Sequence, residues 1–201
     1  MKRRTVRALI CLLALMLSGF TAQAATVRLA PIGSAEEIFS KVSVYCNKWH
    51  DLIGSVLGYD MSFNMDRVKQ TQGKHYDIGG NQVTSFDFDG ISAEIGDDLT
   101  VYAMTIPILD GTKEKYTSTA RIFAVLNALA FDFPSSDEEM SKRYMSCLSE
   151  YLDFMEKNKE TLSAGEFAYW EVQTDKGEFE FQFISIDGRL RMIFDKLYFD
   201  D

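Results

Sequence analysis

Apolar positions from Ile38 onward recur at steps of four and three (Ile38, Val42, Tyr45, Trp49, Leu52, Val56), the spacing that gathers side chains on one face of an α-helix. Ser34 with Glu37 makes a capping-box pair ahead of the run, and Gly58 offers a C-cap, so the pattern predicts a helix from Ser34 to Leu57. Beyond it the period shortens to two. Met61, Phe63 and Met65 alternate with polar residues and predict a strand. Phe86 and Phe88 alternate with Ser85 and Asp87 up to Asp89-Gly90, and Ile91, Ala93 and Ile95 lead away. An Asp-Gly pair between alternating runs predicts a tight hairpin, because a type I′ turn needs positive φ at both central positions. Leu99 to Ile108, rich in β-branched residues and Tyr, completes an antiparallel meander.

Thr117 to Phe133 is apolar around most of its circumference, with only Arg121, Asn127 and Asp132 interrupting before Pro134 stops the helix. Such a helix is expected to be buried. Ser135 to Lys159 opens with the capping pairs Ser135-Glu138 and Ser136-Glu139, and carries the stripe Met140, Tyr144, Leu148, Tyr151, Met155. Strands are predicted at Phe167–Thr174, Glu178–Ile186 and Arg189–Tyr198, the last two joined by Asp187-Gly188.

These elements spell an α+β fold of helices packed on antiparallel β-meanders, in the order α-βββ-αα-βββ. Laying Ser34 on Ser135 aligns Glu37 with Glu138, Ser40-Lys41 with Ser141-Lys142, and Cys46 with Cys147, while Asp89-Gly90 falls near Asp187-Gly188. The alignment is compatible with an internal duplication of units 34–108 and 135–198 inside one domain, 25–201.

The first 24 residues change the picture most. Lys2, Arg3, Arg4 and Arg7 precede an apolar stretch from Ala8 to Leu17, and Ala22-Gln23-Ala24 provides small residues for cleavage. The apolar stretch is shorter than the ~20 residues a membrane span requires. It reads as a secretory signal cleaved near Ala24, which places the mature chain in the periplasm or outside the cell. Cys11 leaves with it. What remains has seventeen basic and thirty acidic residues, a formal charge of −13. That charge argues against nucleic acid, whose phosphates require clustered Lys and Arg, and no further apolar run is long enough for stable membrane insertion. In an oxidising compartment the two remaining cysteines, Cys46 and Cys147, are expected to form a disulfide.

Candidate chemistry is sparse. The mature sequence holds no Gly-x-Ser-x-Gly elbow, no His-x-x-x-His or Cys-x-x-Cys metal spacing, and no glycine-rich phosphate loop, so neither a metal nor an organic cofactor is expected. Ser85 to Gly90 opens like a calcium loop, but Gly96 stands where the bidentate Glu belongs. His50 and His75 are the only imidazoles. The residues singled out for binding are Tyr169 and Trp170, adjacent aromatics on opposite faces of one strand, and His50. The leading expectation is a non-enzymatic binding protein that engages another protein. A small apolar-ligand carrier with a pocket under Thr117–Phe133 is the alternative, followed by a carboxylate-dependent hydrolase using paired acids or His50.

Overall fold

The predicted first helix forms as one continuous rod. In the computed structural model, which describes residues 27–109, 111–186, 189–195 and 197–199, α1 (Ala35–Trp49) passes through a π-helical turn at His50–Gly54 into the short α2 (Ser55–Leu57), and Gly58 ends it at φ +74°. The segment 1–24, with its signal-like pattern and Cys11, lies outside the described residues. Ser34 occupies the N-cap position without making the expected capping bond. The chain enters it from a strand: β2 (Gly33–Ser34) pairs with β6 (Thr100–Ile108), and Ala35 N–H donates to Leu99 O at 2.9 Å. Glu37 pairs with Lys41 instead, at 2.6 Å.

Met61, Phe63 and Met65 alternate inward as predicted, yet they form no strand. Their partner is a helix side chain. Asn47 Oδ1 accepts from Phe63 N–H at 2.9 Å, and its Nδ2 donates to Phe63 O at 3.2 Å, so one side-chain amide satisfies the groups a neighbouring strand would have served.

The main sheet is antiparallel throughout, in the spatial order β3 (Val68–Tyr76), β4 (Gln82–Phe88), β5 (Ile91–Gly96), β6, β9 (Arg189–Asp195), β8 (Gly177–Ile186), β7 (Ala168–Thr174). The β4–β5 hairpin turns at Asp89 and Gly90 with φ of 47° and 92°, as the Asp-Gly signal requires. Residues 187–188 lie outside the described set, with Ile186 paired to Arg189 on either side of them. The final predicted strand divides. Its last part, β10 (Leu197–Phe199), pairs with β1 (Val27–Leu29) in a separate two-stranded sheet.

Helices α1, α3 (Thr112–Ala130) and α4 (Asp137–Lys157), followed by the short α5 (Lys159–Ser163), bring their apolar side chains to one face of the sheet. Phe39 of α1 stacks on Phe88 with centroids 3.9 Å apart, while Phe154 of α4 meets Phe183 at 4.9 Å and Phe123 of α3 meets Trp170 at 6.3 Å. Every residue of α3 from Ser118 to Ala128 is buried, as its apolar circumference predicts. The α4 stripe is rotated from expectation: Cys147 and Phe154 are buried with Met140, Tyr144 and Tyr151, while Leu148 and Met155 stay half-buried. Ser136 makes the capping bond at its start, accepting from Glu139 N–H. No helix of the described residues is long and apolar enough to cross a membrane.

The expected Cys46–Cys147 disulfide is absent, and both cysteines are buried free thiols. Cys46 Sγ lies 3.9 Å from Ala120 O, whereas Cys147 Sγ lies 3.5 Å from Asn127 Nδ2. The same Asn127 Nδ2 donates to Phe123 O at 2.7 Å, so the two thiols meet α3 about one helical turn apart. Helices α1 and α4 both touch α3, but at different levels.

Candidate functional site

The two edges of the sheet differ in character. β3 is polar and almost wholly exposed, carries Lys69 and Lys74, and breaks register with β4 between Gln70 and Gln72 and again before His75. Lysines and irregular register are the devices that keep an edge strand from pairing with other chains. β7 has neither. Its seven residues run in unbroken register with β8, from Ala168 opposite Phe183 to Thr174 opposite Gly177, and among the described residues β8 is its only strand partner. Half of the peptide groups of such a strand point away from the sheet.

A cleft follows this edge. Its larger lobe, about 710 Å³, lies between β7 and the C-terminal half of α4, with Tyr169, Trp170 and Glu171 on one wall and Asp153, Phe154 and Lys157 on the other. The second lobe, about 540 Å³, continues between Val172 and Gln173 and the N-terminal half of α4, at Arg143, Ser146 and Cys147. Glu150 and Glu171 border both lobes. Strand and helix therefore run antiparallel along one continuous groove. Lys176 Nζ, in the β7–β8 turn, closes its far end by bonding Asp132 Oδ1 at 2.7 Å.

Tyr169 and Trp170 both border the groove, from opposite faces. Trp170, 6 % exposed, points into the core against Phe154 and Tyr151, and Tyr169 is half-buried on the other face beside Gln182. The α4 wall was not singled out from the sequence. Its signal was there, since Glu150, Asp153, Phe154 and Lys157 follow helical spacing beside the apolar stripe.

His50 stands apart from the groove. Its Nδ1 accepts the Met61 N–H at 3.3 Å and lies 3.7 Å from Asp60 Oδ1. The imidazole thereby anchors the segment after α2, a structural use that fixes which nitrogen is the acceptor. His75, on β3, lies 3.7 Å from Glu94 Oε1.

On the face opposite the helices, Glu94 and Asp195 both flank Ala103 in the ladder. Burial raises both carboxyls above their ordinary range. Asp195 is pushed up to about 6, with the charges of Glu180 and Glu94 adding to the burial, while His75 opposes the rise at Glu94. Gln182 Nε2 donates to Asp195 Oδ1 at 3.3 Å. No group of three or more metal-ligating side chains converges among the described residues. Comparison with family models, curated proteins and solved structures finds no match.

Proposed function

We propose that this chain is an exported, non-enzymatic binding protein that engages another protein of the cell envelope or extracellular space along the β7–α4 groove. The observation that carries the reading is the contrast between the edges: β3 is charged and irregular, whereas β7 is regular, aromatic and bordered by an open cleft. The signal-like pattern of residues 1–24 supports export to the periplasm or the exterior. The formal charge of −13 after cleavage favours a protein partner over nucleic acid. The use of His50 as an acceptor for a backbone amide weighs against a hydrolase built on it.

Photo-crosslinking in the native host tests both parts. A benzoylphenylalanine at position 173, on the groove, should give a covalent adduct with a second exported protein, while the same group at position 68 on β3 should not. Equal adducts at both positions, or none at 173, overturn the site. Recovery of the chain from the cytoplasm with residues 1–24 attached overturns export.

A further inference from the structure

We infer that the junction of α1, α3 and α4 is a binding site for one internal water molecule, which donates to Asn127 Oδ1 and accepts from the Tyr144 hydroxyl. Of the residues around it, Cys147 alone also borders the groove. Asn127 is fully buried on α3, and its amide is only half used. Nδ2 donates to Phe123 O at 2.7 Å and approaches Cys147 Sγ at 3.5 Å, whereas Oδ1 meets no donor of the protein. The Tyr144 ring is buried against Phe123 of α3 at 5.5 Å and Trp49 of α1 at 5.1 Å, and its hydroxyl meets no protein partner either. Phe123 and Asn127, one turn apart on α3, thus face Tyr144 and Cys147, one turn apart on α4. That register brings the two unmatched groups to the same level of the helix layer.

A buried polar group left without a partner carries its whole desolvation penalty. Internal water commonly meets such groups, about one molecule for every 27 residues, provided two to four polar partners surround it. Tyr144 has them. Burial raises its hydroxyl above the ordinary range, and the neighbouring Tyr116, Cys46 and Cys147 add to the rise. Tyr151 supplies the contrast. Its hydroxyl is also unmatched, but its ring lies among those of Phe123, Trp170 and Phe183 at 5.7, 6.0 and 6.1 Å, and burial alone raises it. Aromatic surroundings offer a water no second partner, so Tyr151 stays dry.

The test compares two conservative variants of the native protein. Where a hydroxyl is bonded to water, phenylalanine forfeits that bond; where it is dry, phenylalanine removes a penalty. Tyr144→Phe should lower the folding equilibrium constant about threefold or more in urea denaturation, and Tyr151→Phe should leave it unchanged or raise it. Magnetic relaxation dispersion of the solvent nuclei counts long-lived internal waters. That count should fall by one in Tyr144→Phe and stay constant in Tyr151→Phe. A Tyr144→Phe protein as stable as wild type, or one with an unchanged water count, overturns the inference. Equal destabilisation by both variants overturns it too, because ring packing would then account for the loss. A high-resolution crystal structure of the wild type gives a reading free of any variant: a water within about 3.2 Å of both atoms supports the site, and a dry junction rejects it.

Discussion

Arg121, one of two polar residues in the Ala120–Ala130 part of α3, reaches across the core to Asp89 in the β4–β5 turn: Nη2 lies 3.1 Å from Oδ2, and Nε donates to the Asp89 carbonyl. Both side chains are largely buried. The same guanidinium bonds Thr117 O at 3.2 Å and sits over the Phe63 ring. One residue thus ties the hairpin, the segment after α2 and the central helix together.

Breaking that pair leaves the buried Asp89 carboxylate with only the exposed Arg67 guanidinium, 3.5 Å away, for a cation. Arg121→Met should cost about 3–5 kcal/mol. Asp89→Asn added to Arg121→Met should recover part of the loss. Urea denaturation of the single and double variants measures both. Equal stability of the wild type and Arg121→Met would remove the pair from any account of the fold.

The cysteines should behave as inert buried thiols. Burial pushes Cys46 up to about 12 and Cys147 up to about 11, so little thiolate exists at neutral pH. Ellman's reagent should fail to label the native protein and should titrate two thiols after unfolding without reductant. No thiols after unfolding would mean a disulfide.

Asp195 should make stability fall with rising pH. Its native value of about 6 exceeds the ordinary value of about 4, so between those limits the folded chain holds a proton that the unfolded chain has released. The contribution is complete below about pH 4 and lost above about pH 6. Asp195→Asn should therefore be more stable than wild type at pH 7.5, by up to about 3 kcal/mol, with the difference closing toward pH 4. A gap in melting temperature that is the same at pH 4.5 and 7.5 would contradict the assignment.

Around His50 the chain is held by close backbone approach. Gly54 N–H and C=O belong to the π turn, its carbonyl accepts from Tyr59 N–H at 2.8 Å, and a Cβ there would stand 2.6 Å from Tyr59 O. Gly54→Ala should cost about 1–3 kcal/mol by overpacking. His50→Ala orphans the Met61 amide and should cost about 1–3 kcal/mol. Thermal melts of both variants read these losses; a His50→Ala protein as stable as wild type would refute the anchoring role.

The periodicities determined much of this protein. Steps of three and four placed α1 and α4, alternation placed β4, β5 and the strands after residue 167, and Asp89-Gly90 placed its turn, because those signals depend on neighbours within a few residues. The aromatics of the groove wall, Tyr169 and Trp170, were legible for the same reason. What needed contacts between distant segments was decided only by tertiary structure. Asn47 turned a predicted strand at 61–65 into an extended segment docked on a helix. β2 pairs with β6 immediately before α1, and Ser34 makes no capping bond. The packing of α1 and α4 on α3 left Cys46 and Cys147 as free buried thiols despite their matching places in the sequence. Sheet order, above all, left β7 at an edge and set α4 antiparallel beside it. Local pattern specifies which face of an element is apolar, whereas the groove exists because two such elements, chosen by long-range packing, leave a strand edge between them.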